Sequence, residues 1–283
     1  MLNLRKLTID YFVEQLKSAY RRTYGDMEPS YGNIIAWSGR LALENIANSD
    51  ALYHNVEHTM LVTAVGQALL EGKHLCDGGV TPRDWLHVTI ALLCHDIGYV
   101  RGVCRRDAGA LVSTGVGEET VEIPAHGTDA ALTPYHVDRS KQFVYERFGA
   151  GLLDSAQVVD ADVLAAYIEM TRFPVPNDER HKDTRSYGGL VRAADYIGQL
   201  GDPDYMRKGP ALFYEFEEIG ANARYGYTSP SDLRSTFASF YWGVVSPYIQ
   251  DALRYLHQTQ EGKEWINNLY SLVFAAEHDR YGS

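Results

Sequence analysis

Apolar residues recur along most of this chain with the three-to-four spacing of helices that bury one face. Residues 7–23 carry Phe12, Leu16 and Tyr20 on one stripe, and residues 32–48 carry Ile34, Ile35, Leu41 and Leu43. In residues 54–72, His54, His58, Leu61 and Val65 recur at steps of four, three and four, so two imidazoles are expected on a face that continues into apolar side chains. Thr81-Pro82 is a helix start, a capping hydroxyl followed by proline in the first turn. The helix it opens is expected to reach about Gly98. It is apolar almost all round from Val88 to Cys94, the mark of a buried helix.

The pattern breaks over residues 101–134, where glycine, proline and mixed polar residues show no period. A stretch of that length is expected to be a lid or binding loop, with Val121 to Ile123 as a short extended piece. Helical spacing resumes over about 136–149, 157–171, 185–200, 210–220, 230–257 and 262–279. The fold class expected is all-α, a multi-helix bundle. Residues 1–40 are read as an N-terminal helical extension and 41–283 as the main domain. Whether the extension packs on that domain or makes a homodimer contact is open.

Composition narrows the function. Hydrophobic residues make up 45% of the 283, enough for a substantial core, and the formal net charge is −11. That balance argues against a broad basic face for a nucleic-acid polymer or an anionic membrane. The longest apolar runs are too short to span a bilayer. The three cysteines, Cys76, Cys94 and Cys104, form no C-x-x-C pair. With no signal-peptide pattern at the N-terminus, a reducing cytoplasm is the expected setting.

Three apolar helical faces each carry an acid or imidazole. His95-Asp96 ends the apolar helix, Asp195 shares a face with Tyr187 and Val191, and His58 sits on its own stripe. Burying such groups is costly unless they are paired or bound to a metal. A mixed nitrogen and oxygen set suits Mg, Mn, Fe or Zn. Arg101, Arg105 and Arg106 follow the doublet and offer a phosphate contact, or simply a solvated loop face.

Tyr53-His54-Asn55-Val56-Glu57-His58, followed by His95-Asp96 and later by Arg192-Ala-Ala-Asp195, resembles the HD superfamily of metal-dependent phosphohydrolases. Within it the similarity is strongest to the catalytic domain of cyclic nucleotide phosphodiesterases. Phe240 to Pro247 and Glu264-Trp265 extend it. The resemblance implies an HD-domain bundle and a hydrolase acting on a small-molecule phosphoester, nucleotide-like in the nearest case. It implies one or two divalent ions held by His58, His95, Asp96 and Asp195, with Asp96 bridging to the second. His54 would be the general acid, one helical turn from His58. Where the pattern continues H-D-x-x-H, this chain has Tyr99, and His136 and His126 are the candidates to take over as ligands. Tyr53, Tyr99, Phe240, Arg101 and Phe237 are the candidate substrate contacts, Phe237 standing where the phosphodiesterase pattern has a base-reading glutamine. A di-iron oxygenase and a non-catalytic metal- or nucleotide-binding protein are the alternatives.

Overall fold

The computed structural model describes residues 3–149 and 158–278. Its helices are α1 (Leu4–Tyr24), α2 (Tyr31–Ile46), α3 (Val56–Asp77), α4 (Pro82–Cys94), α5 (His136–Phe148), α6 (Ala161–Glu169), α7 (Glu179–Lys182), α8 (Tyr187–Leu200), α9 (Tyr205–Glu218), α10 (Ala221–Tyr225), α11 (Pro230–Phe240), α12 (Ser246–Leu256) and α13 (Gln260–His278). Strands β1 (Leu111–Ser113) and β2 (Thr120–Glu122) form an antiparallel hairpin. The all-α expectation holds. None of the described helices is long and apolar enough to cross a membrane.

Helix α3 runs through the middle, packed on α4, α8 and α12. Two glycines let it lie close to its neighbours. A Cβ on Gly66 of α3 would stand 2.0 Å from Leu92 of α4, and one on Gly198 of α8 would stand 2.7 Å from the Val62 backbone. The Thr81 start is a full capping box, with Asp84 returning the bond. Residue 40 falls inside α2, and Val13, Leu16, Ile35 and Leu43 share one core with residues as distant as Val273 and Ala276. The N-terminal helices therefore pack on the rest of the bundle.

The irregular stretch is more ordered than its composition suggests. Its hairpin closes a small core of Val112, Ile123 and Leu132. Arg139 of α5, fully buried, pairs with Asp107 at 3.0 Å and donates to the carbonyls of Gly98, Val100 and Ser113. One side chain thus ties the hairpin to the turn that follows His95-Asp96. The expected 230–257 helix is instead α11, a π turn at Tyr241–Val245, and α12.

Candidate metal centre and its pocket

α4 ends at Cys94, and Ile97–Tyr99 continue as a 3₁₀ turn, so the His-Asp doublet sits at a change of backbone path. That turn is clamped onto α5. Gly98 donates to Ser140 Oγ, Ser140 Oγ donates to the His95 carbonyl, and a Cβ on Gly98 would lie 2.0 Å from the His136 carbonyl oxygen. Glycine is required there because the two backbones touch.

Four side chains converge at this point. His58 Nε2 lies 3.2 Å from Asp96 Oδ2 and 3.6 Å from Asp195 Oδ1. His95 Nε2 lies 3.1 and 3.6 Å from the same two oxygens. An ion with bonds of about 2.0–2.2 Å places its neighbouring ligands roughly 3.0–3.5 Å apart. The ligand atoms of His58, His95 and Asp195 all lie within 4.8 Å of one another and could share an ion, with Asp96 Oδ2 against both imidazoles. Hydrogen bonding does not account for the cluster, since His95 Nε2 and Asp96 Oδ2 are buried without a hydrogen-bond partner. Buried polar atoms left in that condition call for an ion or water. His95 Nδ1 donates to the Leu92 carbonyl at 2.7 Å, which leaves Nε2 as the ring nitrogen that faces the centre. Burial disfavours a charged His95, but the carboxylates of Asp96 and Asp195 outweigh it and hold its pKa well above the imidazole range. Burial opposes charge on Asp96 too, yet the facing imidazoles keep its pKa well below the usual carboxylate range.

His54 departs from its expected place. The helix begins at Val56 because Asn55 caps it, accepting from the N–H groups of Glu57 and His58. His54 lies ahead of the helix and is set instead by Glu215 of α9. Glu215 takes His54 Nδ1 at 2.5 Å on one oxygen and the backbone N–H groups of Tyr53 and His54, at 2.6 and 3.3 Å, on the other. Burial would lower the His54 pKa, but the Glu215 carboxylate raises it to about 9. Glu215, only 2% exposed, is itself held below the usual carboxylate range by the His54 charge despite burial. Its acidic side chain inside the apolar run Leu212-Phe213-Tyr214-Glu215-Phe216 was the available sequence signal.

Tyr99 lies between two imidazoles. Its ring stacks on His54 at 4.4 Å and 13° and on His136 at 4.5 Å and 20°. His136 donates from Nδ1 to the Thr133 carbonyl, and its Nε2 stands 3.8 Å from Asp96 Oδ1, the oxygen on the far side from the four-residue cluster. Burial lowers its pKa, so it is neutral near pH 7 and able to ligate.

The centre opens into a cavity of about 340 Å³ lined by His54, Asp96, Tyr99, His136 and Asp195 and, above them, by an aromatic wall that includes Phe237 and Phe240. Three sequence expectations need correction. Arg101 does not line this cavity, because Asp50 and Asp129 pair with its guanidinium. Arg105 and Arg106 are likewise tied to Glu146 and to Glu118 with the Gly117 carbonyl. His126 is exposed on its loop and lies outside the ligand group and the cavity lining. Tyr53 is buried against the rings of His54, His58 and Tyr205, where it packs the site and does not face the cavity.

A family described as Npun_R2479-like matches the chain over residues 2–279. No curated protein matches it.

Proposed function

The chain belongs to the Npun_R2479-like family, and we propose that it is a metal-dependent phosphohydrolase of the HD type. The observation that carries this reading is the pairing of two features in one cavity. One is a cluster of imidazoles and carboxylates at ligand spacing that hydrogen bonds leave unsatisfied. The other is a histidine held protonated beside it. The motif resemblance points the same way.

His58, His95, Asp96 and Asp195 would hold the ion, which when bound would supply a water of lowered pKa and positive charge facing the phosphoryl oxygens. The rest falls to the chain's own groups. Glu215 occupies His54 Nδ1, so the proton available for transfer is on Nε2. A pKa of about 9 keeps that proton in place at neutral pH, as protonation of a leaving alkoxide requires. The Tyr99 ring fixes the plane of the His54 imidazole. The free, buried thiols Cys94 and Cys104 are compatible with the cytoplasmic setting included in this reading.

The di-iron oxygenase ranks second because, for its further ion, Asp96 Oδ1 and His136 Nε2 stand 3.8 Å apart but Tyr99 stands where another imidazole is needed. The test is a screen of phosphoesters with metal-stripped protein to which Mg, Mn, Fe and Zn are added separately. Metal-dependent turnover that falls about 10²- to 10⁴-fold in His54→Ala is the expected result. Oxygen consumption with two irons per chain and no phosphoester turnover overturns it.

A further inference from the structure

Above the metal centre the cavity wall is made mostly of rings. Phe216, Tyr225 and Tyr227 form a continuous run, with centroids 6.2 and 5.8 Å apart. Phe173 stands edge-on to Phe240 at 6.0 Å, and Phe237 packs on Tyr205 at 5.3 Å. Leu212, Leu233 and Val244 line it as well. The polar groups in this upper part are hydroxyls and the single amide of Gln199. Among the described residues no lysine or arginine lines the cavity, and the basic side chains nearest in sequence to the doublet are paired elsewhere.

The charge that this cavity can neutralise is therefore confined to its floor. One phosphoryl group can meet an ion and the His54 imidazolium there. A second or third phosphoryl would have to sit against rings and hydroxyls, where an unpaired anion is strongly disfavoured. The wall suits the opposite kind of group, a flat or greasy one that gains from edge and face contacts with rings. Its volume lies at the small end of ligand pockets, about 300–1,000 Å³, so that group is of one or two rings. Phe237 is buried with its ring on Tyr205 and itself presents no hydrogen-bonding group to a base.

We infer that the substrate is a phosphoester with a single phosphoryl group whose alcohol portion is an uncharged, apolar group of one or two rings and not a nucleoside, so that cyclic nucleotides and nucleoside polyphosphates are both disfavoured. The inference rests on the hydrolase reading above but can fail separately from it.

The experiment compares bis(4-nitrophenyl) phosphate, 4-nitrophenyl phosphate, cyclic AMP and ATP as substrates of the full-length chain loaded with the most activating metal. In parallel, binding of 2-naphthol to the full-length chain is measured calorimetrically. Two wall variants on different elements, Phe240→Ala and Tyr227→Ala, are checked by circular dichroism. The expected result is kcat/KM for an aryl ester at least tenfold above cyclic AMP and ATP, with 2-naphthol competing. Each wall variant should weaken naphthol binding about tenfold, the loss of one good ring contact. Preferential turnover of ATP or cyclic AMP, or naphthol binding that neither variant alters, overturns the inference and leaves the hydrolase reading intact. Naphthol binding lost in both variants, with no phosphoester turned over, supports the apolar pocket and instead removes the hydrolase reading.

Discussion

At the scale of single residues, the decisive contacts join side chains far apart in sequence. Glu215 acts on His54 across the fold, and the consequence can be measured. In Glu215→Gln the charge that holds the His54 proton is gone while burial, which works against the imidazolium, remains. The His54 pKa should fall from about 9 to near or below its ordinary 6.5, read by NMR titration of the imidazole. Activity that needs the protonated form should then decline at lower pH than in the native chain, where the alkaline limb lies near 9. Stability moves in the matching direction. Because the folded pKa is raised, the pair stabilises the fold fully below 6.5 and loses that contribution as pH rises through about 9. An unchanged alkaline limb in the variant would remove Glu215 from its assigned role. Tyr99 invites a second substitution. Tyr99→His would place an imidazole near Asp96 Oδ1 and His136 Nε2, so the metal content per chain, measured by elemental analysis, should rise from about one to about two. A ratio of two already in the native chain would show that Tyr99 is no barrier.

At the scale of elements, helical periodicity located most helices and the apolar faces that bury them, because burial repeats every turn and leaves a trace in composition. The boundaries at the site were harder to read. His54 and His58 share the spacing of one helix face, yet Asn55 starts the helix between them, a cap that competes with periodicity over a single turn. The metal-ligand candidates His58, His95, Asp96 and Asp195 were visible because each is a polar group on an apolar face. Arg101 misled for the same reason in reverse, since its partners Asp50 and Asp129 are distant in sequence and carry no pattern. Gly98 is the point where elements meet most closely. A methyl group there lies 2.0 Å from the α5 backbone, so Gly98→Ala must push the doublet turn off α5. The expected cost is about 1–3 kcal/mol, read by urea denaturation, with metal affinity falling as well because His95 and Asp96 move with the turn. A variant with native stability and affinity would mean that the turn adapts freely.

For the whole molecule, the four proposed ligands bind together the central helix and its neighbours. His58 comes from α3, His95 and Asp96 from the end of α4, and Asp195 from α8, so an ion at this point crosslinks the core packing. An unfolded chain cannot reproduce that arrangement, and binding free energy becomes folding free energy. At a free metal concentration about a hundred times Kd the gain is about 2.7 kcal/mol, which for a chain of this size corresponds to a rise in melting temperature of roughly 4–5 °C. The pH dependence has a fixed sign. In the protein alone, the raised pKa of His95 means that protons hold the imidazole as a cation that cannot ligate, so the ion must displace one. Binding therefore releases a proton, and the metal-induced gain in melting temperature should grow as pH rises from 5.5 to 8. Asp96 does not oppose this trend, because its depressed pKa leaves it ionised across that interval. Scanning calorimetry with Mn and Zn at three pH values checks the slope, and Asp195→Asn should flatten it. A metal-induced shift that is independent of pH, or that persists unchanged in Asp195→Asn, would place the ion elsewhere on the molecule.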